Sequence, residues 1–142
     1  MVGGQALDMA AEGRASSFDQ LRLIHEQKTG ALIRAAVLSG AVCANATEQD
    51  MQRLDEFAGT IGLAFQVADD ILDVTQNSAT LGKTAGKDIA VEKSTYVSCL
   101  GLEGAQDEAE KLLANALACL EPYGSRAKPL LDLAIAMVRR EH

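Results

Sequence analysis

Asp69, Asp70 and Asp73 stand in GLAFQVADDILDV, Gly62–Val74, with Gln66 three positions before the first of them. Spacings of three and four put all four side chains on one face of a helix. Leu63, Phe65, Val67, Ile71 and Leu72 surround them and belong in a core. Unpaired buried carboxylates are costly, so the aspartates must be solvated in a cleft, paired with cations, or bound to metal. A hard divalent ion such as Mg²⁺ suits one or two carboxylates completed by waters and substrate phosphate oxygens. The competing reading is a solvated acidic face, a common fate of acidic pairs on helices. An EF-hand is excluded, because the glycine and the closing glutamate are missing from their required positions.

Lysines gather around this stretch. Lys83, Lys87 and Lys93 follow in TQNSATLGKTAGKDIAVEKS, Thr75–Ser94, and Lys28 precedes Thr29 earlier in the chain. Any one of them reads as a surface charge. Flanking an acidic helix, they suit an anion bridged to metal, as in phosphate chemistry. Gln5 and Asp8, three apart, form either an inward polar face or a surface pair. His25 has no partner at ligand spacing and reads as a surface or boundary histidine. No nucleophile-elbow, P-loop or dinucleotide-binding pattern is present.

The elements that must position these residues are helices. Ala and Leu dominate, while β-branched and aromatic residues are sparse, which predicts an all-α fold. A short helix opens the chain and closes at Gly13. Ser17 and Gln20 form a capping-box pattern that starts a second, with Phe18, Leu21 and Ile24 as its stripe. Thr29-Gly30 predicts a break or kink. The following helix, Ala31–Ala46, is apolar nearly all round and is predicted to be central. Thr47 caps the helix that carries the aspartates, predicted to run to about Val74. Thr75–Ser94 breaks every periodicity and reads as a long functional loop. Helices over Thr95–Leu102, Ala105–Leu120 and Leu130–Arg140 complete the chain, the last after Pro129 at a first-turn position.

The 142 residues, without linker or repeat, are expected to form a single domain, 1–142. A formal charge of −7 argues against a nucleic-acid backbone as partner. Cys43, Cys99 and Cys119 are odd in number and widely spaced, and are expected to be buried free thiols of a reducing, cytoplasmic setting. Nothing at the N-terminus reads as a signal peptide, and no uncharged apolar run reaches membrane-spanning length.

Five motifs together carry a resemblance: GGQALD, HEQKTGALIRAAV, IGLAFQVADDILDV, TLGKTAGKD and EKSTY. They resemble, in order, the C-terminal half of the trans-type isoprenyl diphosphate synthases, the bacterial farnesyl diphosphate synthases above all. The resemblance implies a helical bundle of the isoprenoid synthase type, around a cavity where Mg²⁺ is held by aspartate-rich helices. It implies a prenyltransferase joining an allylic diphosphate (dimethylallyl or geranyl) to isopentenyl diphosphate, giving farnesyl diphosphate. DDILD then matches the second aspartate-rich motif, with Asp69 the most direct metal ligand and Asp70 and Asp73 acting through the metal or its waters. Gln66 falls at the allylic site. Lys28, with Thr29 beside it, and Lys83 match residues that hold the allylic diphosphate, and Gln5 and Asp8 match a motif lining the cavity. The first aspartate-rich motif and the basic residues for isopentenyl diphosphate do not occur in these 142 residues. The expectation is therefore a portion of such an enzyme, inactive alone, that forms a homo-oligomer or associates with an N-terminal half. The alternative is a non-catalytic helical module that binds diphosphate or associates with itself.

Overall fold

The computed structural model describes residues 1–11, 17–80 and 94–140, the side chains of 77–80 excepted. Every described element is a helix: α1 Val2–Ala11, α2 Phe18–His25, a π-helical turn Glu26–Gly30, α3 Ala31–Cys43, α4 Glu48–Thr80, α5 Tyr96–Leu120, a 3-10 segment Glu121–Ala127, and α6 Lys128–Val138. The predicted all-α class holds.

Local sequence explains most of the boundaries. Ser17 accepts the backbone N–H of Gln20, and Gln20 reaches back to the N–H of Ser17, the reciprocal pair that starts α2. Thr47 accepts from the backbone N–H of Asp50 at 3.2 Å, starting α4. Thr95 and Ser98 repeat the capping arrangement at the head of α5. The two helices expected over 95–120 are present, joined at Gly101, whose non-helical φ of 75° a side chain would strain; together they are α5. At Thr29-Gly30 the chain does not break. It widens into the π turn and continues directly into α3.

α4 is the axis of the structure, packed on α5 along its length and on α3, α6, α2 and the π turn. Phe57, Ile61, Leu63, Ala64 and Val67 are buried there with Leu113, Ala116 and Leu120 of α5 and Leu21 of α2 in one core cluster, and Ala58 and Ala68 are buried beside them. α4 extends to Thr80, past the expected end near Val74. α3 is not the central helix its composition predicted. Its only partners among the described elements are α4 and the π turn, only Ala41 is buried, and Leu32 and Val42 are 57% and 62% exposed. Its apolar residues stand on all sides of the helix, and the described neighbours cover only one of them. The cysteines depart from expectation as well. Cys43 and Cys99 are exposed and Cys119 is half-buried, each near a helix edge.

Candidate active site

The candidate residues that can be placed come from three elements. Gly4 of α1 lies directly on the backbone of the π turn, where a Cβ would overlap the peptide of Gln27 and Lys28. This docking lets Lys28 Nζ donate to Asp8 Oδ2 at 2.5 Å, tying α1 to the turn. On the other side, a Cβ on Gly62 of α4 would stand 2.9 Å from the Cα of Gly30. Two glycines thus let three backbones meet around the turn that carries Lys28 and Thr29. A π turn of this kind is frequent at functional sites. Lys28 and Thr29 are half-buried, Asp8 is half-buried, and Gln5 of the same α1 motif is exposed.

One turn beyond Gly62, Gln66 is buried in α4. The aspartates after it diverge. Asp69 Oδ1 lies 3.4 Å from Arg140 Nη1, with about half of its side chain exposed (49%). The same guanidinium sits 4.1 Å over the centre of the Phe65 ring. Asp73, one turn on, is exposed. Asp70 turns inward, its side chain only 13% exposed, and its Oδ2 meets two groups. The backbone N–H of Tyr96 donates to it at 2.8 Å, and His25 Nε2 stands 3.2 Å away. A carboxylate only accepts, so Nε2 carries the hydrogen of that second bond.

His25 is therefore not the surface or boundary histidine expected. It is buried, stacked on the Tyr96 ring with centroids 5.6 Å apart and planes 17° from parallel. Phe18 meets the other part of that ring edge-on at 4.9 Å. The signal was present in the spacing Leu21, Ile24, His25, which puts the imidazole on the buried stripe of α2. Tyr96 was missed as well. Burial pushes its phenol up to about 12, so it stays neutral.

Among the described residues, no cluster of three or more His, Cys, Asp or Glu side chains is arranged as an all-protein metal cage. Asp69 and Asp73 offer two reachable carboxylates on adjacent turns, and Asp69 already faces a cation in Arg140. That donor set fits a hard divalent ion whose remaining positions are filled by water and phosphate oxygens. Lys83, Lys87 and Lys93, and the loop that holds them, lie outside the described residues. A cleft of about 600 Å³ opens on another side of the π turn, bordered by Arg22, Arg34, Glu56 and Leu63, and contains none of the expected site residues.

With this geometry in hand, comparison with known proteins is decisive on the family. The sequence profile of the polyprenyl synthetases matches residues 1–128. The chain belongs to the polyprenyl synthetase family. A farnesyl diphosphate synthase of Escherichia coli (strain K12) is 52% identical over 128 residues, covering 89% of this chain and 43% of that protein. A geranylgeranyl diphosphate synthase of Cyanophora paradoxa is 43% identical over 143 residues, covering 100% of this chain and 48% of the relative. The structure of a Helicobacter pylori geranyltransferase, in complex with magnesium and isoprenyl diphosphate, superposes with a TM-score of 0.72 at 36% identity, covering 97% of this chain and 45% of that one. This polyprenyl synthetase chain thus spans less than half the length of the relatives it matches. The relatives are prenyltransferases by name, and among the described residues no helix is long and apolar enough to cross a membrane.

Proposed function

We propose that this chain supplies the allylic-diphosphate side of a Mg²⁺-dependent prenyltransferase site that joins an allylic diphosphate to isopentenyl diphosphate. The observation that supports the reading is the close approach of Gly4 and Gly62 to the π turn, which seats the turn of Lys28 and Thr29 against α4, the helix on which Gln66, Asp69 and Asp73 share a face by their spacing. Asp69 and Asp73 would hold the metal. When bound, Mg²⁺ neutralises the diphosphate and stabilises the charge that builds on the leaving pyrophosphate. The chain's own groups do the rest. By resemblance the ammonium groups of Lys28 and Lys83 would attract and orient the diphosphate, and the contact with Asp8 fixes where the Lys28 ammonium stands. As the bond from the allylic carbon to the bridging oxygen breaks, the electron pair leaves with pyrophosphate. The double bond of isopentenyl diphosphate then attacks that carbon, and loss of a proton restores neutrality. By resemblance Gln66 would stand at the allylic site, where apolar neighbours on α4 would exclude water that would quench the allylic cation.

Farnesyl diphosphate is the product we favour, supported by the 52% identity to the Escherichia coli enzyme, against 43% to the geranylgeranyl synthase. Such chemistry needs carboxylates on both sides of the diphosphate. The 142 residues contain one aspartate-rich motif, so we expect binding without turnover from this chain by itself. The test is to incubate it with geranyl diphosphate, isopentenyl diphosphate and Mg²⁺. Geranyl diphosphate should be retained on the protein in a Mg²⁺-dependent way, with no C15 product. Failure to retain it with or without metal contradicts the proposed site, and rapid C15 formation contradicts the division of labour.

A further inference from the structure

We propose that Asp70 is a positioning residue and not a metal ligand, and that His25 and the head of α5 hold it in that role. The carboxylate is directed into the protein and its Oδ2 is engaged twice, by Tyr96 N–H at 2.8 Å and by His25 Nε2 at 3.2 Å. Tyr96 is the first residue of α5, so its N–H is one of the backbone donors that a helix start leaves unpaired. Thr95 satisfies the N–H of Ser98, and Asp70 satisfies that of Tyr96. A negative carboxylate at this end of α5 is also favoured by the aligned peptide dipoles. His25 is locked in turn by its stack on the buried Tyr96 ring and by the edge contact of Phe18 on that ring.

The consequence lies in the rotation of α4. Successive residues of a helix are about 100° apart. Pinning Asp70 inward therefore leaves Asp69 and Asp73 on the open side, where Asp69 reaches Arg140. His25 is also the residue that immediately precedes the π turn of Lys28 and Thr29. One hydrogen-bonded group thus sets the relative placement of the lysine turn, the aspartate helix and the start of α5.

The test is a mutational cycle on the full chain, read two ways. In thermal unfolding, Asp70→Ala and His25→Ala should each lower Tm, and the double variant should lose clearly less than the sum. Asp70→Asn, whose amide oxygen can stand where Oδ2 does, should recover most of the loss. In pyrophosphate binding, which rests on the metal reading above, Asp70→Asn should keep the Mg²⁺ dependence within about threefold, whereas Asp69→Asn should abolish it. Additive Tm losses overturn the proposal. So does an Asp70→Asn variant that loses Mg²⁺ dependence as fully as Asp69→Asn. If the unmodified chain shows no Mg²⁺ effect, the metal reading falls instead, and the Tm cycle alone decides the role of Asp70.

Discussion

Lys28 is held by a short contact to Asp8, and about a third of its side chain (33%) remains exposed. An incoming diphosphate would meet an ammonium already aimed by a carboxylate, so binding costs little rearrangement of the lysine. We expect Lys28→Ala to weaken pyrophosphate by roughly 1.5 kcal/mol, the lower end of the range for charged hydrogen bonds because the site is partly solvated. Calorimetry on the variant, with circular dichroism to confirm the fold, measures this. At this scale the sequence was legible where chemistry depends on near neighbours. The spacing of Gln66, Asp69 and Asp73 is local, and a helix converts it directly into one face. The partners of Asp70 were not legible, because Tyr96 lies 26 residues away and His25 lies 45 away. Only the fold brings them together.

Around the π turn the elements meet through glycines. Gly4 touches the peptide of Lys28 itself, and Gly62 faces Gly30 across the same turn. Backbone atoms cannot rotate aside as a flexible side chain can. Gly4→Ala should therefore push α1 off the turn, at a cost of about 1–3 kcal/mol typical of overpacking. It should also separate Asp8 from Lys28. Chemical denaturation reports the first effect, and weakened pyrophosphate binding reports the second. Gly3→Ala is the control, since nothing stands within 4 Å of its added Cβ. Helix starts were readable from Ser17 and Thr47 because a cap is a contact over three residues. The π turn was readable only as a disturbance at Thr29-Gly30. The edge position of α3 was not readable, because a helix apolar all round reads the same whether one or two neighbours cover it.

Across the whole molecule, charge and exposed apolar area make separate predictions. The hydroxyl of Thr47, and then that of Tyr123, hold Asp50 below the usual carboxylate range, while Arg34 does so for Asp55 and Arg139 for Glu110. Groups with depressed folded pKa values add stability above their unfolded values and lose it as pH falls through the folded ones. Tm should thus be nearly flat at mildly acidic pH and fall below about pH 4. An Arg34→Gln, Arg139→Gln variant should start lower and lose less on acidification. Apolar exposure concentrates on α1, where Val2 and Met9 are 77% and 71% exposed, and on α3 at Leu32 and Val42. We expect these faces to be covered by a second copy or by complementary helices. Light scattering should give an apparent mass above that of one chain, and a compact monomer across concentrations would contradict this.

The central claim, that α4 and the π turn form a metal-assisted diphosphate site, is tested most directly by titrating pyrophosphate calorimetrically into the chain and its Asp69→Ala variant, with and without Mg²⁺. Mg²⁺ should tighten binding to the unmodified chain by about tenfold or more and leave the variant unchanged. Binding that is equally weak in all four titrations would contradict the account.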